Sequence, residues 1–178
     1  MAKHKVVEIP ASNMKKSILL GEDEGIIAMA TANILENAGY DVITADSGES
    51  VVDIALNNPD IKLVLMDIEL SSEMDGTEAA RRILMNRNLP IIFLTSYSSS
   101  EYIEKVKGIT RYGYIVKNSG AYILLSSVEM ALELHDAYEK VRVSELYYRG
   151  LFENSISAVA INEIISNDDG VAEDYCFL

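Results

Sequence analysis

Leu63-Val64-Leu65-Met66 is an unbroken apolar run ended by Asp67, with Asn58-Pro59-Asp60 before it and the polar Ser71-Ser72-Glu73 after it. A run this short and this apolar reads as a strand buried on both faces, and such strands sit in the middle of parallel sheets. Parallel neighbours can be joined only by crossovers, usually helical, so this one stretch points to an α/β architecture. Asp67 falls at the carboxyl end of the strand, the edge where ligands bind in open α/β sheets. A lone Asp leaving a strand is more often a turn or cap residue, so its meaning depends on what joins it.

The rest of the chain supplies partners for that strand. Residues 1–15 mix charge, Pro10 and small polar residues without a period and read as a flexible N-terminal tail. Residues 17–20 form a second buried strand that delivers Gly21-Glu22-Asp23-Glu24 to its carboxyl end. Ile27, Ala30, Ile34, Leu35 and Ala38 then recur at helical spacing, and Gly39 is placed to stop that helix. Residues 41–45 read as a strand, and Ser47 is expected to cap a helix carrying Val51, Val52, Ile54, Ala55 and Leu56.

After the Asp67 strand a loop reaches Met74-Asp75-Gly76, and residues 77–86 have the composition of a helix. Residues 90–94 form a fourth buried strand that delivers Thr95 and Ser96. Ser98-Ser99-Ser100-Glu101 starts a short helix ending near Gly108, residues 113–116 form a fifth strand delivering Lys117, and a last long helix begins near Gly120. Five strands alternating with helices over short loops imply a doubly wound, five-stranded parallel sheet with right-handed crossovers. All strands then point one way, so Glu22, Asp23, Asp67, Thr95 and Lys117 converge on one crevice.

Composition bounds the function. The 178 residues are 49% apolar and 24% charged, enough for one ordinary domain with a little left over. A net charge of -13 argues against nucleic acid or an anionic membrane surface as partner. The sequence holds no apolar run near the roughly 18 to 20 residues of a membrane span and no signal-peptide core, so a cytoplasmic location is expected. Cys176, the single cysteine, excludes an intramolecular disulfide and a cysteine metal cluster, and His4 and His135 lie far apart.

From about residue 17 to 134 the sequence resembles the receiver domain of two-component response regulators. The resemblance rests on Glu22-Asp23 after the first strand, Asp67 after the third, Met74-Asp75-Gly76 in the third loop, Thr95 after the fourth and Lys117 after the fifth. Tyr114 stands three residues before Lys117, where the family has its switch aromatic. It implies a flavodoxin-like sheet of strand order 2-1-3-4-5 with a long C-terminal helix. It also implies that Asp67 accepts a phosphoryl group from a histidine kinase or phosphotransfer protein.

Crowded carboxylates resist full ionisation unless a hard divalent cation joins them, and the family's ion is Mg2+. The resemblance assigns its ligands to Asp23, Asp67 and the backbone carbonyl of Glu69, with Glu22 acting directly or through water. Lys117 and Thr95 would hold phosphoryl oxygens, and Thr95 with Tyr114 would form the switch. The chain departs from the family in two places: Asn118 follows Lys117 where proline is usual, and Glu22 replaces the commoner aspartate. A trans or strained Lys117-Asn118 bond is then expected. Beyond self-phosphorylation and autodephosphorylation, no stand-alone enzyme is implied.

Residues 126–154 hold one glycine and no proline, and Ala131, Leu134, Tyr138, Val141, Glu145, Tyr148 and Phe152 recur at spacings of three and four. This is a coiled-coil seam interrupted by Glu145, and it suits a helical linker joining two copies; the alternative is one helix packed on its own domain. Beyond it, a strand over 158–165, a turn at Asn167-Asp168-Asp169-Gly170 and a strand from Val171 resemble the start of a PAS sensor domain, too short to complete it.

The expected organisation is a tail over 1–15, a receiver over 16–134, a linker over 135–155 and an incomplete PAS-like segment over 156–178. The parent chain is then expected to be a PAS-containing signalling protein such as a sensor kinase. Two other readings stay open. A magnesium-dependent phosphatase of the haloacid dehalogenase type also uses a strand-end aspartate, but its Asp-x-Asp pair lies on the first strand, whereas Asp67-Ile68-Glu69 lies on the third. A degenerate receiver would bind partners without phosphorylation. A flavodoxin-like binder fits worse, since carboxylates would repel a flavin phosphate.

Overall fold

The computed structural model describes residues 15–96, 106, 108–153, 162–166 and 172–177. The chain divides into two compact units, residues 1–135 and 136–178. The first contains β1 (Ser17–Gly21), α1 (Gly25–Asn37), β2 (Asp41–Ala45), α2 (Gly48–Asn57), β3 (Ile61–Asp67), α3 (Gly76–Asn86), β4 (Ile91–Thr95) and β5 (Tyr114–Val116). A helix α4 (Ala121–Glu153) begins in it. The second unit takes the rest of α4 and an antiparallel pair, β6 (Asn162–Ser166) and β7 (Ala172–Phe177).

The five strands of the first unit form one parallel sheet in the order β2-β1-β3-β4-β5, the order that the receiver resemblance implies. Leu63, Val64, Leu65 and Met66 are fully buried because side chains alternate across a strand and both faces are covered. Val64 and Met66 join Leu19, Val51, Ala55, Ala79, Ile83 and Phe93 on the α2 and α3 side. Leu63 and Leu65 join Ile18, Leu20, Leu35, Ile92, Leu94, Ile115 and Val128 on the side of α1 and the start of α4. Each fully buried Leu, Ile or Val contributes about 1.5 to 3 kcal/mol of transfer free energy, so the two faces of β3 organise most of the core.

Local details refine the sequence reading. Gly39 does end α1 in the left-handed region, at φ 96. Ser47 occupies the N-cap position of α2 in an extended conformation but makes no side-chain capping bond; a serine from the β3–α3 loop, Ser72, accepts from the Gly48 N–H instead, at 3.2 Å. α3 starts at Gly76, and Asp75 caps it by accepting from Glu78 N and from Thr77 Oγ1, both at 2.8 Å. β4 begins after Pro90, which has no N–H to offer the ladder, and β5 is three residues long. The helix expected over 98–108 lies outside the described residues apart from the helical, buried Val106, and so does most of the N-terminal tail.

Arg87 closes the α3 end of the domain. Its guanidinium donates to four backbone carbonyls, of Ala55 at 2.6 Å, Asn58 at 2.6 Å, Pro59 at 3.0 Å and Ile61 at 2.7 Å. These are the carbonyls left over where α2 ends and β3 begins, and a planar fork of donors is the side chain suited to several of them at once.

Two predictions follow from these contacts. Arg87→Ala is expected to lower unfolding free energy by about 2 kcal/mol in urea melts, because partly buried carbonyls lose charged donors, and Arg87→Lys should restore less than half of that. Burial pushes the Asp75 carboxyl up, but the donors from Glu78 and Thr77 and nearby Arg81 outweigh it, so its pKa lies below the ordinary value. A depressed folded pKa stabilises above the unfolded pKa and loses that stabilisation as pH falls through the folded one. Asp75→Ala should cost about 1 kcal/mol at pH 7, and its gap to wild type should shrink below about pH 4, read by unfolding at both values.

Candidate functional site

The carboxyl ends of β1, β3, β4 and β5 carry Glu22 and Asp23, Asp67, Thr95 and Lys117, and the parallel sheet brings them to one edge. Asp67 is the last residue of β3 and is buried, as are Glu22 and Thr95. The Lys117 ammonium sits between two acids: Nζ donates to Asp67 Oδ2 at 2.9 Å and to Glu22 Oε1 at 2.9 Å. The Lys117, Glu22 and Asp67 side chains are 5%, 0% and 4% exposed, so these charges meet largely out of water.

Backbone donors fix the carboxylates. Asp67 Oδ1 accepts from Glu69 N at 3.1 Å, and Asp23 Oδ2 accepts from Ser71 N at 3.1 Å, so the β3–α3 loop folds over both acids. Lys117 N donates to Thr95 O at 2.8 Å, which ties the fifth strand end to the fourth. Tyr114 lies on β5 opposite Phe93 in the ladder and is 39% exposed. All peptide bonds among the described residues are trans, and Asn118 after Lys117 takes a left-handed φ of 63, which asparagine tolerates better than most residues.

The electrostatics follow the burial. Burial pushes the Glu22 carboxyl above its ordinary value, with the charge of Asp67 adding to it and Lys117 opposing. For Lys117 burial works against the charge, but bonds to Glu22 and Asp67 outweigh it and hold the ammonium above its usual pKa. Asp23 is held below its ordinary value by its hydrogen bonds with Ser71.

The donor set suits a hard cation. Oxygens of Glu22, Asp23 and Asp67 lie within 4.8 Å of one another. Glu22 Oε2 is buried and approaches the ammonium at 2.8 Å, but at an angle that leaves it without a hydrogen bond. Three carboxylates gathered this closely offer oxygens to an ion preferring oxygen ligands.

Residues to which the sequence analysis gave no role also shape the site. Glu24 Oε1 lies 3.9 Å from Lys117 Nζ, on an exposed side chain. Ser72 Oγ donates to Met74 O at 2.7 Å while accepting from Gly48, which joins the loop to α2. A Cβ on Gly76 would overlap the Asp67 carbonyl, and one on Gly48 would overlap the Met74 carbonyl, so both glycines let helix starts close on the loop. The Met74-Asp75-Gly76 motif was the one available signal for Gly76; nothing local in the sequence marks Gly48 or the serines.

Comparison with known proteins places this geometry. The sequence profile of the response regulator receiver domain matches residues 18–129. The transcriptional regulatory protein PdtaR of Mycobacterium tuberculosis is 33% identical over 119 residues, covering 66% of this chain and 57% of that protein. The CAI-1 autoinducer sensor kinase/phosphatase CqsS of Vibrio cholerae is 33% identical over 127 residues, covering 69% of this chain and 18% of that protein. The chain thus spans about half the length of the first relative and far less of the second. Among solved structures, the N-terminal domain of a response regulator/sensory box/GGDEF 3-domain protein from Carboxydothermus hydrogenoformans superposes with TM-score 0.65 at 40% identity, covering 69% of this chain and 98% of that one.

Removing Lys117 strands two buried acids. Lys117→Met is expected to destabilise the metal-free protein by about 3 kcal/mol in urea at pH 8, and adding Glu22→Gln to it should recover most of that loss. Equal instability of the single and double variants would show that the three groups are not coupled.

Proposed function

The chain belongs to the response regulator receiver family, and from that premise we propose that it is a phospho-acceptor whose nucleophile is Asp67. The observation that carries this reading is the buried Asp67 carboxylate, bonded to Lys117 and clustered with Glu22 and Asp23 at the sheet edge. Receiver domains bind Mg2+ at such an acidic pocket and take part in two-component signalling with histidine kinases or phosphotransfer proteins. Here Asp23, Asp67 and the backbone carbonyl of Glu69 would hold the ion, with Glu22 direct or through water. When bound it supplies positive charge against the transferring oxygens.

In the proposed reaction an Asp67 oxygen attacks the phosphorus of a phosphohistidine. The new P–O bond forms as the P–N bond breaks, and the imidazole leaves with the electron pair. Lys117, now bonded to Asp67, shifts to a phosphoryl oxygen as a point charge, and the Thr95 hydroxyl donates to another. Thr95 and the half-exposed Tyr114 on the neighbouring strand are the switch pair, biased by the new charge.

The proposed organisation keeps the tail over 1–15, the receiver over 16–134, a helical linker over 135–155 that pairs with a second copy, and a PAS-like start over 156–178. The antiparallel β6–β7 pair supports the last assignment, as does the sensory box in the Carboxydothermus relative. The likeness to CqsS supports a sensor kinase as the parent of such a chain. No helix among the described residues is long and apolar enough to cross a membrane, which supports a cytoplasmic setting. A receiver that only binds partners is the second reading, favoured by Asn118 in place of proline.

Intact mass after incubation with acetyl phosphate and Mg2+ tests the proposal. Wild type should gain one phosphoryl group, labile to hydroxylamine, and Asp67→Asn none. No gain in wild type would support the binding-only reading.

A further inference from the structure

The helix α4 runs 33 residues, Ala121–Glu153, about 50 Å at 1.5 Å per residue. Its portion in the second unit is rich in exposed apolar side chains: Val141 is 66% exposed, Tyr148 58% and Leu151 52%. In proteins most helical stability comes from packing an apolar face rather than from propensity, and the surface pairs Arg142–Glu139 at 2.8 Å and Arg149–Glu145 at 3.0 Å add only tenths of a kcal/mol each. The exposed side chains call for a partner, and their spacing says which.

Ala137, Val141, Ser144, Tyr148 and Leu151 follow one another at intervals of four, three, four and three, and the same interval runs back in the sequence through Leu134 and Met130. In heptad terms Val141 and Tyr148 take position a, and Ala137, Ser144 and Leu151 take position d. None is charged. A surface groove of about 510 Å³ opens along this stripe, lined by Lys140, Val141, Ser144, Glu145 and Tyr148. The seam expected from sequence, through Tyr138, Glu145 and Phe152, would instead put Glu145 in the core facing its own copy, where two like charges repel. Moving the seam onto Ala137, Ser144 and Leu151 takes Glu145 out of the core to position e and leaves Lys140 at position g.

We propose that α4 pairs with α4 of a second copy as a parallel, two-stranded coiled coil on this seam, with Lys140 of each chain meeting Glu145 of the other. In a parallel pair, position g faces position e five residues further along the partner helix, and 140 to 145 is that step. Tyr147 and Phe152 form the next such pair, an aromatic one. An antiparallel pair would set g against g and e against e. Within 137–153 the g residues are then Lys140 and Tyr147, and the e residues Tyr138, Glu145 and Phe152, with no opposite charges to match in that stretch. Val143 and Leu146 stay on the outer face, as scattered exposed apolar residues do on ordinary surfaces. The register rests on the reading of α4 as a linker between two copies.

The test uses the full chain carrying Cys176→Ser. Sedimentation equilibrium should show a dimer. Lys140→Glu should weaken it by about tenfold, Glu145→Lys likewise, and the two together should return affinity to within a few-fold of the parent. Ser144→Cys should form an interchain disulfide under mild oxidation and Leu146→Cys should not, with circular dichroism showing every variant folded. A dimer that crosslinks at position 146, or that ignores both charge reversals, overturns the register while leaving the linker reading intact. A parent that stays monomeric at about 100 μM, far above the range of stable dimers, overturns both.

Discussion

One buried ammonium organises the functional edge of this protein. Lys117 reaches from the end of β5 to bond Glu22 and Asp67, which belong to two other strands, and all three side chains are almost fully withdrawn from water. Burial and the neighbouring charge of Asp67 raise the proton affinity of Glu22, and oxygens of Glu22, Asp23 and Asp67 lie within 4.8 Å of one another. The lysine offsets that repulsion while staying on a flexible stem, so it can follow negative charge if that charge moves. A guanidinium would grip the same acids in a fixed fork and give up that freedom.

Everything else in the first unit serves to bring those strand ends together and keep them there. β3 is central because its four apolar residues are covered on both faces, and it ends on Asp67 at the edge of the sheet. The β3–α3 loop then turns back over the acids through Ser71 and Ser72, and the close approach of α2 and α3 to that loop depends on Gly48 and Gly76. Arg87 secures the opposite end of β3 by gathering the carbonyls between α2 and that strand. The site is thus clamped through backbone atoms at both ends of one strand.

The parts of this arrangement that could be read in the sequence are those encoded by period and position. Apolar runs of four or five residues, separated by helical spacings, announce a parallel sheet, and in such a sheet every strand points its last residue to one edge. Glu22, Asp23, Asp67, Thr95 and Lys117 were visible for that reason alone. The contacts that shape their surroundings were not. Ser72 stands in for the side chain of Ser47 at the start of α2, and no local pattern announces a capping partner 24 residues away. Arg87 looks like an ordinary helix-end cation until α2 and β3 are folded beside it. On α4 the period was legible, but residues spaced by three and four can be joined along either of two adjacent stripes, and the proposed seam is chosen between them by the charges at Lys140 and Glu145.

The central claim is that the Asp67 edge is built to hold a phosphoryl group with Lys117 following it. Calorimetric titration with beryllofluoride, a stable phosphoryl mimic, tests it most directly when Mg2+ is present throughout. The account predicts one beryllofluoride bound per chain, lost in Asp67→Asn and weakened in Lys117→Met. Binding that survives Asp67→Asn, or no binding to the folded wild type at millimolar mimic, would contradict it.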